Sequence, residues 1–67
     1  MVTINGVDCY GEFDVEECFS VAYNLPNGDG VEDYVDVDES VATNFTQLVK
    51  YLEKILPDCE ILQIECG

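Results

Sequence analysis

Asp29-Gly30-Val31-Glu32-Asp33-Tyr34-Val35-Asp36-Val37-Asp38-Glu39 holds six carboxylates and no positive charge, and from Val31 to Asp38 it alternates with a period of two. Successive side chains leave opposite faces of a strand. The alternation therefore predicts Val31, Asp33, Val35 and Val37 on one face and Glu32, Tyr34, Asp36 and Asp38 on the other. Read this way, the segment is a strand carrying a fixed row of negative charge. Directly after it the period changes. Val41, Phe45, Leu48, Leu52 and Ile55 recur at spacings of four, three, four and three, flanked by Val49 and Leu56. That is the stripe of an amphipathic helix over 40–56. Asp38 or Ser40 can cap its start, Glu39 suits the positive end of the helix dipole, and Lys50 and Lys54 suit the negative end. Pro57 stops it, because proline cannot continue the hydrogen-bond ladder.

Working back from the acidic stretch, Pro26-Asn27-Gly28-Asp29-Gly30 is dense in turn residues and predicts a hairpin into the preceding strand, Cys18 to Leu25. Phe19, Val21, Tyr23 and Leu25 form that strand's heavier face. Val2 to Cys9 reads as a tight hairpin about Asn5-Gly6, since a type I′ turn needs positive φ at both central residues. Ile4 then pairs with Val7 and Val2 with Cys9. Gly11 permits a bend, and the acidic run Glu12, Asp14, Glu16, Glu17 reads as a turn or bulge. After the helix, Cys59 to Cys66 is a last strand with Leu62, Ile64 and Cys66 on one face and Ile61 on the other. Apolar on both sides at its centre, it belongs inside the sheet. The fold class is α+β in the order β-β-β-β-α-β: a mostly antiparallel sheet of four or five strands, with one helix packed on one face.

A chain of 67 residues is one compact domain. At this size a fold buries about 60% of its unfolded surface, which leaves little depth for a catalytic cleft. The hydrophobic share of 48% nevertheless separates it from a disordered acidic tail. Fifteen acids oppose Lys50 and Lys54 alone, and the formal charge is −13. Such a chain is repelled by nucleic acid and anionic membrane and is drawn to basic protein surfaces. The charge is also uneven: eleven acids and no base lie in residues 1–39, against four acids and both lysines in 40–67. Cys9, Cys18, Cys59 and Cys66 are read as reduced thiols of a cytoplasmic protein, since the N-terminus lacks the pattern of a signal peptide. No stretch approaches the ~20 apolar residues of a membrane span.

The residue types exclude most chemistry. With no His, neither nucleophilic catalysis nor a zinc site has its usual parts, and the cysteine spacings contain no C-x-x-C pair. A carboxylate pair could do acid–base work only where burial raised one pKa, which a thin domain does not provide. An EF-hand register starting at Asp36 meets Val41 where glycine is required and Gln47 where a glutamate is required. The expectation is a binding protein with no enzymatic activity, metal or cofactor. Solvation of a strand face, or the acid-loaded surface of a salt-adapted protein, would also account for many carboxylates. Salt adaptation predicts charge on every exposed face, whereas here it is concentrated in residues 1–39.

The sharper reading is mimicry of nucleic acid. Same-face residues on a strand lie about 6.6–6.8 Å apart, comparable with neighbouring phosphates. Glu32, Asp36 and Asp38, with Asp29, Asp33 and Glu39 near the ends, would imitate a run of backbone. Glu12, Asp14, Glu16 and Glu17 would supply a second run, with Tyr34 as aromatic anchor. The partner is then the basic, Lys/Arg-lined surface of a nucleic-acid-binding protein or complex, with no direct binding of nucleic acid. In size, charge and the acidic run DGVEDYVDVDE, the chain resembles the small acidic inhibitors of phages and mobile elements, the anti-CRISPR and anti-restriction proteins. The resemblance implies a target class: the DNA- or PAM-binding channel of a CRISPR effector, or a restriction enzyme. The alternative is a small acidic assembly adaptor or chaperone that binds a basic partner without mimicry. A ubiquitin-like modifier is disfavoured by the tail Glu65-Cys66-Gly67, which lacks a paired glycine end.

Overall fold

A computed structural model describes all 67 residues. Strands β1 (Val2–Ile4), β2 (Val7–Tyr10), β3 (Phe19–Asn24) and β4 (Gly30–Val35) precede helix α1 (Phe45–Ile55), and β5 (Glu60–Cys66) follows it. The sheet order is β1-β2-β5-β3-β4, antiparallel throughout except for the β2–β5 pair. The α+β class and the order β-β-β-β-α-β are as expected. The last strand fills the gap between two hairpins, so its place inside the sheet also agrees with its apolar centre.

The local signals act where they stand. Asn5 and Gly6 have φ of 50° and 80°, as a type I′ turn demands. The pairs Ile4↔Val7 and Val2↔Cys9 follow from it. At Gly11 the chain leaves β2 with φ of 81°, and a Cβ there would stand 2.8 Å from the Cys66 carbonyl oxygen. Glycine is required twice over at this point. The 14–17 segment is a turn, with the Glu17 N–H donating to the Asp14 carbonyl at 3.1 Å. In the β3–β4 hairpin the Leu25 N–H donates to the Asp29 carbonyl at 2.8 Å.

Helix α1 and strand β5 differ from expectation. The helix begins at Phe45 rather than near residue 40, because Asn44 supplies a better cap than Asp38 or Ser40. Its side chain accepts the Gln47 N–H at 2.9 Å, and Gln47 Oε1 in turn accepts from the Thr43 N–H at 2.7 Å. This is a variant of the reciprocal capping box. Asp38 instead anchors a separate turn, its carbonyl accepting the Val41 and Ala42 N–H groups at 2.8 and 3.2 Å. Ala42 is buried while Val41 is exposed, and Glu39 lies outside the first helical turn. Lys54 does stand in the last turn. In β5, a register shift between its pairings to Ala22 and Tyr23 leaves Leu62 as the extra residue. Ile61 thereby joins Ile64 in the core and Leu62 is 41% exposed, the reverse of strict alternation.

The core forms between α1 and one face of the sheet. Leu48, Val49 and Leu52 pack over Val7, Cys9, Phe19, Val21, Ile61 and Ile64. Phe13 closes one end of this layer, 5.1 Å from the Phe19 ring and 5.4 Å from the Phe45 ring. No helix is long and apolar enough to cross a membrane.

Candidate functional site

The registers fix which ends of the strands coincide. Tyr10 pairs with Glu65, and Phe19 pairs with both Cys66 and Val35. β2, β5 and β4 therefore finish, and β3 begins, at one end of the sheet. The 11–18 and 36–44 loops both emerge there. Between them they carry Glu12, Asp14, Glu16, Glu17, Asp36, Asp38 and Glu39, all exposed and with no lysine among them.

These loops touch. Cys18 Sγ donates to Asp36 Oδ1 at 3.1 Å, and Asp14 and Glu39 line one shallow groove with Phe13, Val15 and Thr43. The first loop is held from below by Phe13 in the core layer and by Cys66 Sγ, which donates to the Asp14 carbonyl at 3.7 Å. Asp14 Oδ1 accepts the Glu16 N–H at 2.9 Å, which closes an Asx turn and fixes the loop's course. In the second loop Ser40 Oγ donates to Asp38 Oδ2 at 3.2 Å. No three of the acidic or cysteine side chains converge as a metal-holding group.

The expected straight row is corrected. β4 stops at Val35 because its partner runs out: Phe19, the first residue of β3, is already opposite Val35. Beyond that point Val37 turns into the core, and Asp36 and Asp38 belong to the loop. Glu32 and Tyr34 stand on the sheet face away from α1. Asp33 pairs with buried Val21 and so stands on the helix side, its Oδ1 accepting the Tyr34 N–H at 2.9 Å. Asp29 sits in the turn at the far end of β4, where its Oδ2 accepts from Asn27 Nδ2 at 3.1 Å. Of the residues singled out in the sequence, seven are gathered at one end, Glu32 and Tyr34 share a neighbouring face, and Asp29 and Asp33 are set apart.

Asp8, Tyr10 and Glu65 escaped the sequence reading. Asp8 and Tyr10 are signalled by the alternation Val7-Asp8-Cys9-Tyr10, and Glu65 is placed by its pairing with Tyr10; all three emerge on the same face as Glu32 and Tyr34. Neither lysine lies in the acidic loops, although both line a groove with Val41 of the second loop. Both lie on the exposed side of α1, where Lys50 and Lys54 flank Glu53. The Cys18 thiol is pushed above its ordinary pKa by the hydrogen bond to Asp36, then by the negative charges of Asp36 and Glu17. The Cys9 thiol is raised by burial and by Asp8. Neither is a ready nucleophile.

No protein-family model matches the chain, and neither the curated proteins nor the solved structures contain a similar one.

Proposed function

We propose that this protein is an inhibitor that lodges its acidic end in the basic, nucleic-acid-binding groove of a larger complex. The target class implied by the resemblance is a host defence complex such as a CRISPR effector. The observation that supports this reading is the meeting of two loops, with seven carboxylates and no lysine, at one end of a firm sheet. Loops tied by Phe13, the Asp14 turn and the Cys18–Asp36 contact meet a partner with little ordering cost. A disordered acidic tail would lose more entropy on binding. Glu32 and Tyr34 extend the anionic surface along the β4 edge, while both lysines lie on α1.

The test is competition. The protein should displace a labelled DNA duplex from a basic effector, more weakly as salt rises, because the groove recovers its counterions. Joint replacement of Asp14, Glu16, Asp36 and Asp38 by their amides should abolish displacement while the fold is kept. Undiminished displacement by that variant would refute the reading and favour an adaptor binding elsewhere on the domain.

A further inference from the structure

The sheet face away from α1 is covered by no other element. Its side chains, taken from the registers, form two rows across the strands. One is Tyr10, Glu65, Ser20 and Tyr34; the next is Asp8, Gln63, Ala22 and Glu32. Ser20 and Ala22 are short, so β3 forms the floor of a trough walled by β4 on one side and β5 on the other. Two strand spacings separate the walls, about 10 Å backbone to backbone. A surface depression lined by Ala22, Tyr23, Asn24, Gly30, Val31, Glu32 and Leu62 lies at the Asn24–Gly30 end of the β3–β4 pair.

These dimensions choose among occupants. An α-helix is about 10–12 Å across with its side chains, too wide to lie between the walls. An extended segment sending one long side chain to the floor fits. The charge chooses further: Asp8, Glu32 and Glu65 stand on this face with no lysine, so a second copy of the chain, nucleic acid and anionic lipid are all repelled. Tyr34 is 71% exposed and takes part in none of the ring contacts, which are confined to Phe13, Phe19 and Phe45. A free aromatic wall beside carboxylates suits a guanidinium, which stacks on rings and meets carboxylates through two parallel hydrogen bonds. An ammonium group gains less from either feature.

We infer that this trough seats an arginine carried on an extended basic segment of the partner, stacked on Tyr34 and bonded to Glu65 or Glu32. The inference rests on the partner being cationic, as proposed above, and adds a specificity site beside the acidic loops.

The experiment titrates the isotope-labelled full chain with an arginine nonamer and a lysine nonamer at about 150 mM salt, where long-range attraction is screened to roughly 8 Å. The arginine peptide should bind severalfold more tightly and shift the amides of Ser20, Ala22, Tyr34 and Glu65. Tyr34→Ala should weaken the arginine peptide about three- to fivefold, the scale of an exposed cation–π contact, and weaken the lysine peptide by a smaller factor. The amide variant of the acidic loops should weaken both peptides alike. Equal binding of the two peptides, or shifts confined to residues 12–17 and 36–39, would overturn the inference. The DNA competition reads the acidic end, whereas arginine preference reads the trough, so failure of one is distinguishable from failure of the other.

Discussion

Gly11→Ala tests the junction on which the acidic end depends. Gly11 has φ of 81°, and its missing Cβ would stand 2.8 Å from the Cys66 carbonyl oxygen. Holding alanine in the left-handed region costs about 1–2 kcal/mol. The contact adds a comparable amount, about 1–2 kcal/mol, because the obstacle is backbone of the central strand and cannot swing aside. The sum is about 2–4 kcal/mol. A domain of this length has a total stability of about 3–10 kcal/mol, so the loss is a large fraction of the whole. With roughly 0.14 kcal/mol/K of unfolding entropy, the melting temperature should fall by about 15–30 °C. Gly28→Ala is the control: its φ is 92°, but nothing lies within 4 Å of an added Cβ, so conformational strain acts alone. Urea denaturation followed by far-UV circular dichroism should place Gly11→Ala about 1–2 kcal/mol below Gly28→Ala. Equal losses in the two variants would mean that the chain does not cross the end of β5 closely. The stated position of the first acidic loop would then fail with it.

Self-repulsion of a −13 domain predicts that raising sodium chloride from about 10 to about 150 mM, which shortens the screening length from roughly 30 to 8 Å, increases the melting temperature. A flat profile would contradict the gathering of seven carboxylates at one end. The Cys18 thiol gives a local reading of the same field. Its folded pKa lies above the unfolded value, so the contribution to stability is complete below the unfolded pKa and is lost as pH rises through the folded one. Asp36→Asn removes the largest cause, so at mildly alkaline pH Cys18 should be alkylated by iodoacetamide faster than in the parent protein. Unchanged kinetics, followed at that cysteine by mass spectrometry, would rule out the Cys18–Asp36 contact.

Features carried by neighbouring residues were legible in advance. Asn5-Gly6 specifies its turn through backbone conformation alone, and the first hairpin register follows from that turn. The helix stripe identified Leu48 and Leu52, with Val49 flanking it, but also included Val41 and Ile55, which are exposed; Pro57 marked the end. The start of the helix is ambiguous in the sequence because three residues, Asp38, Ser40 and Asn44, can each cap a helix. Only Asn44 has Gln47 three residues on to complete the exchange of hydrogen bonds. The β5 bulge left no mark in the alternation. Whether Ile61 or Leu62 turns inward depends on which of them meets the floor beneath α1.

Composition, the two periodicities and the turn residues were sufficient for the α+β class, the element order and an acidic N-terminal portion followed by a nearly neutral helix. These properties arise from interactions within a few residues of each other along the chain. The end of β4 at Val35, the meeting of two acidic loops at one edge and the trough over β3 come only from the tertiary structure. Each depends on which strand lies beside which, and on where a partner strand ends. That is decided when β5, last in the chain, inserts between the two hairpins and brings into contact residues more than forty positions apart.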